Sequence, residues 1–111
     1  MIKEREVSLG LTLIGYKSEG VFVLYTPALD LYSSADSEEE VFVAFDETVH
    51  LYIDHVIVED TLEKDLKRLG WEKHTYFKKR FDSPKYDPRE IMSSIGVNSF
   101  NLIDKQLALQ A

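Results

Sequence analysis

The sequence predicts an α+β domain, with strands at the front and helices after them. Three observations carry this: apolar residues alternate from Val7 to Leu13, the spacing turns helical after Asp36, and turn and capping residues separate the segments. A chain of 111 residues is the usual size of one domain and can bury a core without disulfides or metals. Its 44% hydrophobic and 30% charged residues are those of a folded globule.

Val7, Leu9, Leu11 and Leu13 alternate with Ser8, Gly10 and Thr12, so 6–17 reads as a strand with one apolar face. Ser18-Glu19-Gly20 is turn chemistry, and Val21-Phe22-Val23-Leu24-Tyr25 resumes with β-branched and aromatic residues, which predicts a hairpin. Pro27 ends that strand. From 28 to 34, Leu29 and Leu31 share one face and Asp30 and Tyr32 the other, giving a short third strand and a three-stranded antiparallel meander.

Ser37-Glu38-Glu39-Glu40 supplies an N-cap hydroxyl with a carboxylate three residues on, and acidic residues where the helix dipole favours them. Val41, Phe45, Thr48/Val49, Tyr52 and Val56 then recur at helical spacing, with Phe42 and Ile53 widening the stripe. The pattern predicts a long amphipathic helix of about four or five turns that fades near 55–58. Asp60-Thr61-Leu62-Glu63 opens a shorter helix along Leu62, Leu66 and Leu69, with Gly70 in the C′ position. The mixed aromatic and basic run 71–81 reads as a strand returning to the sheet edge. After a loop marked by Pro84 and Pro88, 89–95 fits two helical turns, and 101–109 fits either state. The expected organisation is an α+β domain over 1–81, with 82–111 a C-terminal extension of the same domain.

Charge is unevenly spread. Residues 1–63 hold three Lys/Arg against 14 Asp/Glu, a net −11, whereas residues 64–90 hold nine against five, a net +4. The acidic front repels phosphate and attracts a basic partner over about a Debye length, roughly 8–10 Å at physiological salt. The absence of cysteine excludes disulfides, thiolate metal sites and cysteine nucleophiles, and fits a reducing compartment, so the expected location is cytoplasmic. No apolar run approaches the roughly 18 residues of a membrane span.

No catalytic constellation assembles. His50 and His55 are five apart, about 140° around a helix, and cannot jointly face one metal. Glu38, Glu39 and Glu40 diverge by about 100° each and are explained by capping. There is no Gly-rich phosphate loop and no strand–Ser–helix elbow. The expectation is therefore a binding protein that is not an enzyme, with no cofactor and no metal. One alternative is a nucleic-acid-binding regulator using 64–90, with Lys73, Lys78, Lys79 and Arg80 meeting a backbone and Phe77 and Phe81 offering stacking surfaces. Another is an orphan oligomeric structural module.

The run Gly20-Val21-Phe22-Val23 into Pro27-Ala28-Leu29, followed by Asp36-Ser37-Glu38-Glu39-Glu40-Val41 opening a long helix, resembles the HicB-type antitoxins. That family shows a glycine turn, a strand ending in Pro-x-Leu, and a Gly-Asp-Thr-x-Glu-Glu-Ala helix start. Asp36, Ser37, Glu39 and Glu40 match the last motif, with Ser for Thr, and the likeness covers roughly residues 7–77. Ala35 stands where the family has Gly, and the family's Pro-Gly-Cys is replaced by Asp30-Leu31-Tyr32 with one residue fewer. The helix-turn-helix or ribbon-helix-helix that many members append has no counterpart in the tail.

The resemblance implies a truncated ribonuclease-H-like fold and a small basic ribonuclease toxin, HicA-like, as partner. It does not bring nuclease activity with it, because the first strand, 7–16, contains no acidic residue. The expected partner-binding residues are Asp30, Tyr32, Asp36, Glu38 and Glu39, placed at the sheet–helix edge and away from the apolar stripe. A homo-oligomer is also expected.

Overall fold

The computed structural model describes residues 6–59, 61–73 and 81–110. In chain order they form β1 (Glu6–Ser18), β2 (Val21–Thr26), β3 (Leu31–Ala35), α1 (Glu38–Val58), α2 (Leu62–Arg68), β4 (Glu72–Lys73), β5 (Phe81–Asp82), α3 (Pro88–Ser94) and β6 (Asn101–Gln110). The fold is α+β. A four-stranded antiparallel sheet in the order β3-β2-β1-β6 carries the long helix α1 on one face, and β4 and β5 form a separate two-stranded pair.

The meander follows from local chemistry. The β1–β2 hairpin closes with Ser18 opposite Val21, leaving Glu19 and Gly20 as a two-residue loop with φ of 50° and 80°. Two successive positive φ values are the turn whose twist matches the flanking strands, and glycine accepts that geometry freely whereas glutamate does not. The third strand begins later than the alternation predicts. Residues 27–30 make a tight turn closed by Asp30 N–H on the Pro27 carbonyl at 3.2 Å, with Asp30 at φ 54°, so β3 starts at Leu31.

Ser37 caps α1 as its motif predicts: extended at φ −133°, it accepts the Glu40 N–H on Oγ at 3.2 Å. Helix α2 differs. Its N-cap is Thr61, whose side chain makes no capping hydrogen bond, while Asp60 of the expected capping box lies outside the described residues. Its other end is closed as expected: Gly70 at φ 98° lets its own N–H reach the Lys67 carbonyl and the Trp71 N–H reach that of Leu66. Helix α3 is capped by Asp87, which accepts the Arg89 N–H at 3.0 Å, with Pro88 in the first turn.

The core lies between the sheet and α1. Leu9, Leu11 and Leu13 from β1 and Leu24 from β2 meet Val41, Phe45, Val49 and Ile53 from α1, all buried. Each side chain of this size removed from water contributes about 1.5–3 kcal/mol. Trp71 and Phe81 belong to the same cluster, and the Trp71 indole donates to the Ala28 carbonyl at 2.7 Å, pinning the segment after α2 beneath the β2–β3 turn.

Of the run 71–81, expected to return to the sheet as a strand, residues 74–80 lie outside the described residues. The described ends of that run, β4 and β5, pair only with each other, Glu72 opposite Asp82 and Lys73 opposite Phe81. The fourth strand is β6, which runs antiparallel to β1 from Glu6 opposite Gln110 to Gly15 opposite Asn101. It settles 101–109 as strand. Ile103 and Leu107 face the core beside Leu13 and Leu9, while Leu102 and Asp104 lie on the other face with Ile14 and Thr12.

Candidate partner-binding surface

The expected contact residues sit along β3 and the start of α1. Asp30 is exposed in the turn before β3, where its carboxylate accepts the Tyr25 hydroxyl at 3.0 Å. Burial, reinforced by that hydrogen bond and the Asp30 charge, pushes Tyr25 up to about 12. Tyr32 stands opposite Tyr25 on the face away from α1 and is 67% exposed. Asp36 is exposed where the chain leaves β3, and Glu38 and Glu39 are exposed in the first turn of α1.

These five residues do not form one cluster. Asp30 and Asp36 flank β3, and six strand steps of about 3.3 Å put them roughly 20 Å apart. Asp36, Glu38 and Glu39 gather at one end, Asp30 lies at the other, and Tyr32 stands between. Glu38 also lines a half-open cavity of about 250 Å³ with Lys17, Phe22, Phe42, Phe100 and Asn101.

The structure adds residues that the sequence reading passed over. Helix α1 carries six carboxylates and no Lys or Arg, and among the described residues only Asp46 is ion-paired, to Lys105 at 2.6 Å. Glu40, Glu47 and Asp54 are exposed and seven apart, so they recur every two turns, about 10 Å, down the solvent side of the helix. Exposed apolar residues accompany them: Val43 is 60% and Leu51 72% accessible, with Phe42 at 41% nearby. The signal was in the sequence, as a seven-residue acidic repeat in a stretch without basic residues.

The basic segment is partly neutralised within the chain. Lys67 and Lys73 both reach Glu63, at 3.5 and 3.4 Å, and Arg68 reaches Asp65 at 2.9 Å. Lys78, Lys79 and Arg80 lie outside the described residues, as does His74. The Tyr52 hydroxyl also donates to Asp65, tying α1 to α2, and burial together with that bond raises the Tyr52 pKa. His50 and His55 are exposed on α1, with His50 Nδ1 2.7 Å from the Asp46 carbonyl. Among the described residues no three His, Asp or Glu side chains gather as a metal site, and no helix is long and apolar enough to cross a membrane.

With this geometry in hand, the chain was compared with protein-family models, curated proteins and solved structures, and none of the three comparisons found a match.

Proposed function

We propose that this protein works by binding a basic protein, and that its partner is a small basic ribonuclease of the HicA-like toxin kind whose catalytic surface it covers. The observation that carries this reading is the outer surface of α1, where Glu40, Glu47 and Asp54 repeat beside exposed Val43 and Leu51. Carboxylates with no ion-pair partner among the described residues keep their field for a ligand, steer a cationic protein on approach and disfavour RNA or DNA at the same place. The interleaved apolar side chains supply area that excludes water once the surfaces meet.

Asp36, Glu38 and Glu39 continue the acidic surface over the N-terminal end of α1, and Tyr32 offers an amphipathic contact at the sheet edge. The family likeness of the Asp36-Ser37-Glu38-Glu39-Glu40 helix start gives the class of partner. The ionic pairing of Lys67, Arg68 and Lys73 within the chain speaks for a protein ligand over a nucleic acid.

The reading predicts a short basic open reading frame beside this one in the genome, and the test is to co-express the two. The reading predicts that the neighbour alone arrests growth and degrades RNA, and that this protein restores growth and inhibits RNA cleavage at a one-to-one ratio. A neighbour that is harmless, or a ribonuclease untouched by an excess of this protein, removes the proposal.

A further inference from the structure

The strand β6 closes the four-stranded sheet on one side, and among the described residues nothing pairs with its outer edge. Along its ten residues, about 33 Å of strand, every second residue turns its backbone N–H and C=O outward, an unusually long edge to leave unpaired in water. The opposite edge strand, β3, has only five residues and begins at the positive-φ turn of Asp30, so it offers half the pairing length.

Edge strands are commonly protected by charged side chains, and β6 has two, Asp104 and Lys105. Both are engaged inside the molecule. Lys105 reaches across the core face to Asp46 of α1 at 2.6 Å, and Asp104 accepts the Thr12 hydroxyl of β1 at 3.4 Å. Helix α1 packs on β3 and β2, toward the other side of the sheet. Among the described residues, α1 therefore does not overhang a second strand approaching β6.

Symmetry and charge together select the partner and the register. Two copies of β6 pairing antiparallel about a two-fold axis keep like faces together, so residue i must oppose a residue of the same parity. Two registers give the longest overlap, nine residues each: one sets Lys105 opposite its own copy, the other sets Gln106 opposite its own copy. The first opposes like charges and is disfavoured. The second opposes Gln106 to Gln106, Asp104 to Ala108 and Lys105 to Leu107, with no like-charged pair anywhere. The register centred on Asp104 overlaps over only seven residues and opposes two carboxylates.

We propose that this chain forms a homodimer through β6, paired antiparallel with Gln106 on the two-fold axis, giving one continuous eight-stranded sheet with both copies of α1 on the same face. The surface on α1 described above stays open in this dimer, so two basic partners bind per assembly. The dimer itself does not depend on who that partner is.

The chain contains no cysteine, which makes the register directly readable. Sedimentation equilibrium of the full chain, without partner, tests the assembly: a reversible dimer is expected, and a monomer throughout the micromolar range overturns the proposal. Single variants Asp104→Cys, Lys105→Cys and Gln106→Cys are then oxidised under mild conditions. Residues directly opposed across an antiparallel pair have Cβ atoms about 4.5–5.5 Å apart, near disulfide reach. The expected result is a disulfide-linked dimer for Gln106→Cys, formed at least about tenfold faster than for the other two, with circular dichroism showing each variant folded. Faster linkage at Lys105→Cys or Asp104→Cys overturns the register, and linkage at none of the three in a chain that sediments as a dimer overturns the use of β6. Inhibition of a toxin enters none of these readouts, so the dimer and the antitoxin reading fail separately.

Discussion

Thr26 offers a test of how the core is built. It is fully buried at the end of β2, on the face that carries Leu24 and opposite Leu31 of β3, and among the described residues its hydroxyl has no hydrogen-bond partner. A buried hydroxyl left unpaired costs about 1–3 kcal/mol relative to water. Thr26→Val replaces that oxygen by a methyl group of nearly the same shape and keeps the β-branched preference for strand, so little opposes the gain. The variant should be more stable by about 1 kcal/mol, with a melting temperature about 4 °C or more higher. Urea unfolding by circular dichroism measures it, with the midpoint rising at an unchanged slope. Ser33→Ala is the contrasting control. Its hydroxyl shares a hydrogen bond with Thr48 Oγ1 at 2.8 Å, so removing it should cost about 1 kcal/mol. A destabilised Thr26→Val protein would refute the reasoning, because it would mean that the hydroxyl has a partner.

Other consequences can be measured in the same way. Glu19→Asn should stabilise the β1–β2 hairpin by about 0.5–1 kcal/mol, because Asn tolerates the φ of 50° that Glu19 adopts before Gly20; an unchanged urea midpoint would count against the turn assignment. Trp71→Phe should cost about 2–3 kcal/mol, since it vacates part of the core and strips the Ala28 carbonyl of its indole donor, and a loss below about 0.5 kcal/mol would contradict that role. Tyr25 titrates near 12 in the folded protein against 10 in the unfolded chain, so the unfolded state gives up the proton first as pH rises. The stability it contributes is whole below pH 10 and declines between pH 10 and 12. Tyr25→Phe should therefore flatten that alkaline limb, and absorbance near 295 nm should show one fewer late-titrating tyrosine.

The elements that the sequence revealed are those whose signals are local. The β1–β2 hairpin is written in alternation and in Glu19-Gly20, the start of α1 in Ser37 and its following glutamates, and the end of α2 in Gly70. What stayed hidden depends on partners far along the chain. The alternation of β6 is weak because Asp104 and Lys105 interrupt it, and its strand state follows from β1, whose Thr12 lies 92 residues from Asp104. Trp71 resembled an edge-strand aromatic, yet its place is fixed by the Ala28 carbonyl, 43 residues away.

The surface was legible in kind but only partly in place. The acidic front and the Asp36 to Glu40 helix start are visible as residue types. That Asp30 sits at the far end of β3, and that Glu40, Glu47 and Asp54 share the solvent side, follows from which side of α1 Phe45 and Val49 bury.

The most direct measurement is the affinity of this protein for the HicA-like basic ribonuclease proposed as its partner, taken by calorimetry at two salt concentrations for the wild type and for Glu40→Lys/Glu47→Lys/Asp54→Lys. These side chains are exposed, so the folded state should persist. An electrostatic interface predicts wild-type binding that weakens as salt rises, and a variant at least about a hundredfold weaker with its salt dependence lost. Equal affinity and equal salt dependence in the two proteins would contradict the account.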